Sequence, residues 1–202
     1  MHERFLRAGF LGGLICWLLC SCAPQDHDHR VVISVADQAM DVFFREQFVA
    51  RYKVSTSQFG VGDSPGTAAT PMGHLIIAQK IGDGAPLGMV FKDRKPTGEI
   101  LVPNAPGRDP IVTRILWLKG LEAQNHNAFG RYIYIHGTPV ENQIGKPASY
   151  GCIRMRSQDV VQLFTTVGVG TSVDVIANHL PVQPGNIAQA VSAAPAVSSV
   201  RR

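Results

Sequence analysis

The stretch RVVISVADQAMDVFF, residues 30–44, most restricts what this chain can fold into. Apolar side chains recur at every second position: Val31, Ile33 and Val35, then Met40, Val42 and Phe44. A period of two is the pleat of a strand with one buried face. Asp37 and Gln38 interrupt the run with turn-compatible polar residues, so the stretch predicts a hairpin. The same pattern continues at Phe48, Ala50, Tyr52 and Val54, in HLIIA at 74–78, from Ile111 to Leu118, in RYIYIHG at 131–137 and in TSVDVIA at 171–177. Gly- and Pro-rich segments separate these runs. QFGVGDSPGTAATPMG, 58–73, reads as a long loop, and Gly82-Asp83-Gly84 opens another. One helix is expected, capped by Ser157, running to about Val167 and ended by Gly168. Short strands, frequent turns and little helix imply a mainly β domain over residues 30–178, a sandwich or partial barrel with one or two short helices.

The two ends differ from this body. Arg4 and Arg7 precede the apolar run Ala8–Leu19, which is shorter than the roughly 20 residues of a spanning helix. It fits the hydrophobic part of an export signal over residues 1–21. Leu19-Cys20-Ser21-Cys22 resembles a bacterial lipoprotein processing site, which implies a lipid on Cys22, a bacterial cell-envelope location and membrane anchoring. By the same analogy Ala23, a non-Asp residue after the cysteine, favours the outer membrane. Residues 22–29 are polar, including APQDHDH at 23–29, and read as a tether; residues 179–202, rich in Ala, Ser, Val and Pro, read as a disordered tail. The net charge of +4 comes without a run of five basic residues, so no nucleic-acid footprint is present.

Four cysteines stand at 16, 20, 22 and 152, and only Cys152 lies in the body. No disulfide within the domain follows from that count. A lone thiol in an oxidising compartment is either buried as a small hydrophobe or used. His136 closes a predicted strand, and Cys152 follows a loop holding Gly145, Pro147 and Gly151, which can bring the two together. A thiol of pKa about 8.5 is mostly protonated at neutral pH, and an imidazole in reach can take its proton to make a nucleophile. Gly151 lets the backbone approach closely, so that the Gly151 and Cys152 amides can face a developing oxyanion. His74, His126 and His179 have no partner at metal spacing, and neither a metal nor an organic cofactor is expected. Tyr132 and Tyr134 are explained equally by strand propensity and by a place in the cleft.

The spelling IHGTP…GKPASYGCIRM, with GVGDSPGTAATPMGHLII upstream and the hairpin around Asp37-Gln38, closely resembles the L,D-transpeptidases, the YkuD-type family of bacterial cell-wall enzymes, over residues 30 to 178. The resemblance implies that Cys152 is the nucleophile and His136 the base, with the Gly137 carbonyl orienting the imidazole. It assigns Arg154 to positioning the site or a substrate carboxylate and matches Ser149 to the motif's Ser/Thr; beside these, Tyr150 and the strand residue Tyr134 are candidates for the substrate side. It implies peptidoglycan stem tetrapeptides as donors, loss of the terminal D-Ala, an amine acceptor giving 3→3 cross-links or anchored protein, and acylation by carbapenems. One position departs: the family usually carries histidine where Tyr150 stands. Two other readings are a noncatalytic peptidoglycan-binding descendant and a cysteine carboxypeptidase or amidase. Oligomeric state is not legible.

Overall fold

The structure, a computed structural model, describes residues 24–182. The expected export signal, Cys22 and all but the first few residues of the expected tail lie outside the described residues. Ten strands form the body: β1 His29–Ser34, β2 Ala39–Phe44, β3 Gln47–Lys53, β4 Gly73–Ile81, β5 Met89–Lys92, β6 Lys95–Ile100, β7 Val112–Gly120, β8 Tyr134–Gly137, β9 Ile153–Met155 and β10 Ser172–Ile176. A single-turn 3-10 helix, Glu141–Gln143, and one α-helix, α1 Ser157–Thr166, complete it. The mainly β fold with short helices follows the expectation.

The sheet runs β3-β2-β1-β10-β4-β7-β5-β6, and β8 and β9 branch from β7. Two pairings are parallel, β1 with β10 and β8 with β9. Beyond β3, Ser55 bridges Arg154 of β9, and both exchanged hydrogen bonds are 2.9 Å. That bridge joins the β3 end of the path to the β8–β9 branch and makes the sheet a partial barrel. The core is built by alternation: Val31 and Ile33, Met40 and Val42, Leu75 and Ile77, Leu116 and Leu118, Val173 and Val175 all face one interior and are fully or almost fully buried. Helix α1 adds Val160, Leu163 and Phe164 to that interior. At about 1.5–3 kcal/mol per fully buried aliphatic side chain, this interior is the dominant favourable term of the fold.

Two local expectations change, and one stretch for which the sequence suggested no element forms a hairpin. Ser157 is the first residue of α1, not its cap. Its hydroxyl accepts a hydrogen bond from Thr113, and its N–H is capped by Glu141 Oε1 at 2.8 Å. Residues 26–29 of the expected tether are docked: Asp26 accepts hydrogen bonds from the Gly168 amide at 2.6 Å and the Thr171 hydroxyl at 2.9 Å, and His29 already belongs to β1. Burial alone would raise the Asp26 carboxyl, yet these donors and His29 bring it down to about 2. The sequence around 89–100, without a clear alternating pattern, forms the β5–β6 hairpin, whose turn residues Asp93 and Arg94 have φ of 50° and 65°.

Candidate active site

Strands β8 and β9 pair in parallel, with Ile135 opposite Ile153 and His136 opposite Arg154. Because successive residues of a strand face opposite sides, Ile135 and Ile153 enter the core while His136 and Arg154 turn away from it. Cys152 immediately precedes β9 and packs with Tyr134, Ile115 and Phe91 on that second side. One sheet face thus carries the polar residues and the other the aliphatic ones, as the alternation in YIHG and in CIRM requires.

His136 is buried, with 4% of its surface exposed. Its Nδ1 lies 2.8 Å from the Gly137 carbonyl. A carbonyl only accepts, so Nδ1 carries the hydrogen and Nε2 holds the lone pair in the neutral ring. Burial pushes this imidazole down to about 4 against the pull of that carbonyl, and Arg154 adds to the depression. Gly137 itself has no room for a side chain. A Cβ there would stand 2.7 Å from the Val112 carbonyl oxygen and 3.2 Å from Val160.

Cys152 keeps part of its surface exposed, and its thiol donates to the Tyr132 carbonyl at 3.4 Å. Burial pushes the thiol up to about 11, opposed by the Tyr134 amide and by the positive charges of Arg154 and Arg131. The resting pair at neutral pH is therefore thiol and neutral imidazole. Desolvation outweighs both arginines.

The loop before the thiol is held from three directions. The Ser149 hydroxyl donates to the Cys152 carbonyl at 2.5 Å, and the Gly151 amide donates back to Ser149 Oγ at 3.2 Å. The Gly151 amide, expected in the oxyanion hole, is thus engaged inside the loop. Thr70 Oγ1 donates to the Gly151 carbonyl at 3.0 Å, and the Gln58 amide donates to the Ser149 carbonyl at 3.1 Å. Gly151 has φ +115°, and a Cβ would press on Ala69 O at 3.2 Å, so both conformation and space demand glycine.

Arg131, Asp63 and Thr70 were not singled out by the sequence. Arg131 and Asp63 form an ion pair at 2.8 Å with both side chains nearly fully buried. Arg131 also donates to the Thr67 and Ala69 carbonyls, each at 2.8 Å. This brace fixes the 58–73 loop, from which Thr70 reaches the Cys152 loop. An isolated arginine and aspartate 68 residues apart carry no sequence signal.

Arg154 is 7% exposed. Its guanidinium pairs with Asp109 at 2.7 Å, donates to the Ala148 carbonyl at 2.9 Å and lies 5.8 Å from the centre of the Tyr150 ring. Tyr150 is 67% exposed, and its ring lies tilted against Phe59 with centres 5.5 Å apart. Arg154, Asp109, Ala148 and Tyr150 edge an open cleft of about 650 Å³. On the other flank of Cys152, Tyr132 and Tyr134 line a cleft of about 300 Å³ with Phe91, Ile111, Asp93 and Arg94. Tyr132 sits at φ 59°, an uncommon conformation for a non-glycine residue and one that turns its carbonyl to the sulfur. His74 and His179 pair instead with Asp174 and Asp37 at the surface. Among the described residues, no three His, Cys, Asp or Glu side chains group as metal ligands.

The chain is 24% identical over 153 residues to a protein of Bacillus licheniformis named as a candidate L,D-transpeptidase, YkuD, covering 75% of this chain and 68% of that one. It is 54% identical over 44 residues to another such candidate, YqjB of Bacillus subtilis, covering 22% of this chain and 25% of the relative's length. Among solved structures it resembles an L,D-transpeptidase from Mycobacterium smegmatis with a TM-score of 0.49 and 15% identity, covering 74% of this chain and 59% of that one. Residues 28–175 match the sequence model of the L,D-transpeptidase catalytic domain, YkuD, so the chain belongs to that family.

Proposed function

We propose that this chain is a cysteine acyltransferase of peptidoglycan, taking the acyl group of a stem tetrapeptide and passing it to an amine. The observation that carries the reading is the tautomer of His136. With Nδ1–H tied to the Gly137 carbonyl, Nε2 remains as the proton acceptor on the face shared with Cys152. In the first step the thiol proton passes to Nε2 as Sγ attacks the third-residue carbonyl. The Cys152 amide faces the developing oxyanion. The tetrahedral centre collapses by breaking the C–N bond to D-Ala, whose amine takes the proton from His136. The resulting thioester is attacked by an acceptor amine, His136 receives the amine's proton, and that proton returns to the departing sulfur.

Arg154, with Asp109, Ala148 and Tyr150 around it, is a positioning residue that holds the cleft wall. Tyr150 in place of histidine adds an exposed aromatic surface there and leaves the base untouched, which favours catalysis over a purely binding role. The sequence of residues 1–22 supports an envelope location with a lipid on Cys22; Cys22→Ala should then leave the mature N-terminus without the acyl mass, and an unchanged mass defeats that part.

The test of the activity is incubation with a stem tetrapeptide and mass spectrometry for free D-Ala, thioester and cross-linked product. Cys152→Ala should abolish all three while the fold persists. Product without any cross-linked species points to the hydrolase, and binding without D-Ala release to the noncatalytic descendant. Full turnover in Cys152→Ala refutes the assignment.

A further inference from the structure

The sequence directs attention to Arg154 for a substrate carboxylate, but that guanidinium is buried and already paired with Asp109. A second arginine faces the thiol's other flank. Arg94 lies at the turn of the β5–β6 hairpin, which folds over the cleft lined by Tyr132 and Tyr134. Its guanidinium carbon is 5.1 Å from the centre of the Trp117 ring and 5.0 Å from that of Tyr132. It also hydrogen-bonds the Tyr134 side chain. Among the described residues Arg94 makes no ion pair closer than 4.0 Å. A guanidinium resting over two rings has little freedom to turn, and its N–H groups stay available to a planar anion. Tyr134 takes part of a five-donor fork and leaves the rest. Asp93, the adjacent turn residue, is exposed and lines the same cleft.

The cleft is tied to the sulfur through Tyr132, which lines it and whose carbonyl receives the thiol, and its lining also carries one positive and one negative group. Turn propensity alone explains a polar pair at a hairpin tip. It does not explain an arginine drawn back over two aromatic rings and a phenol. We propose that Arg94 and Asp93 form a clamp for a zwitterionic α-amino-acid terminus, Arg94 taking the carboxylate edge-on and Asp93 the ammonium. The clamp rests on the proposed activity and sharpens it: the donor's third residue is a diamino acid whose side chain ends in an amino-acid centre, as opposed to a bare amine.

The test uses two tetrapeptides that differ only there, one with meso-diaminopimelate and one with L-lysine at the third position. The ratio of their kcat/KM values is measured in the unmodified chain, in Arg94→Gln, in Arg94→Lys and in Asp93→Asn. A ratio within one variant is insensitive to the fraction folded. The unmodified chain should favour diaminopimelate, and Arg94→Gln should reduce that preference by about 10- to 100-fold, the size of a lost charged hydrogen-bond pair. The loss should fall on KM, and Arg94→Lys should recover only part of it. Equal ratios in the unmodified chain and in Arg94→Gln overturn the clamp. Binding of the same two peptides to Cys152→Ala, with and without Arg94→Gln, is read by calorimetry. Turnover with Arg94-independent binding sinks the clamp alone. Arg94-dependent binding without turnover in the parent sinks the activity and leaves the clamp standing.

Discussion

The resting protonation of Cys152 yields the sharpest prediction. With the thiol pushed up to about 11, roughly one molecule in 10⁴ carries thiolate at pH 7. An ordinary cysteine of pKa about 8.5 carries about 3%, some 300-fold more. A more basic thiolate is intrinsically more nucleophilic, and a Brønsted coefficient of about 0.45 over that interval returns about a factor of 13. The net expectation is alkylation by iodoacetamide about 20- to 30-fold slower than free cysteine at pH 7. The rate should climb tenfold per pH step from pH 6 to 10 with no plateau, because His136, pushed down to about 4, is already neutral throughout. The assay is alkylation of the intact chain, quantified by mass, with Cys152→Ala as the blank. A plateau between pH 5 and 8 would mean a standing thiolate–imidazolium pair and would refute the claim that desolvation outweighs Arg131 and Arg154 here.

Other consequences follow from the same contacts. Arg131→Met leaves Asp63 buried without its cation and should cost about 3–5 kcal/mol in urea unfolding, with part recovered by adding Asp63→Asn; a cost under about 1 kcal/mol counts against the brace. Gly151→Ala forces a side chain into φ +115° against Ala69 O and should cost about 1–3 kcal/mol, with D-Ala release falling further than stability does. His136 is held neutral by burial, so its folded value of about 4 lies below the unfolded 6.5. The folded state binds fewer protons in that window, and stability present above pH 6.5 is lost as pH falls through 4, by roughly 3 kcal/mol at the limit. His136→Gln should flatten that part of the urea-midpoint profile, and an unchanged profile would place the acid sensitivity elsewhere.

Much of this was legible because period-two alternation reports burial directly. Val31 and Ile33, Leu116 and Leu118, and Val173 and Val175 face the core as the pattern requires. RYIYIHG placed His136 at the close of a strand, whereas the three-residue strand Ile153–Met155 after Cys152 is too short to show an alternation. The β5–β6 hairpin escaped notice because KPTGEI is exposed at every position and no buried face marks it. The docking of Asp26 escaped because short polar segments look alike whether solvated or capping an amide.

The sequence alone determined the fold class, the candidate nucleophile and base, and the family, since alternation and a contiguous motif are local properties of the chain. Tertiary structure alone decided which charges act where. It committed Arg154 to Asp109, buried the Arg131–Asp63 brace and carried Arg94 over Trp117 and Tyr132. It also set the thiol and imidazole in their neutral forms. The reason is physical: a side chain's charge state and free donors depend on desolvation and on partners tens of residues away, and neither is written in its neighbours along the chain.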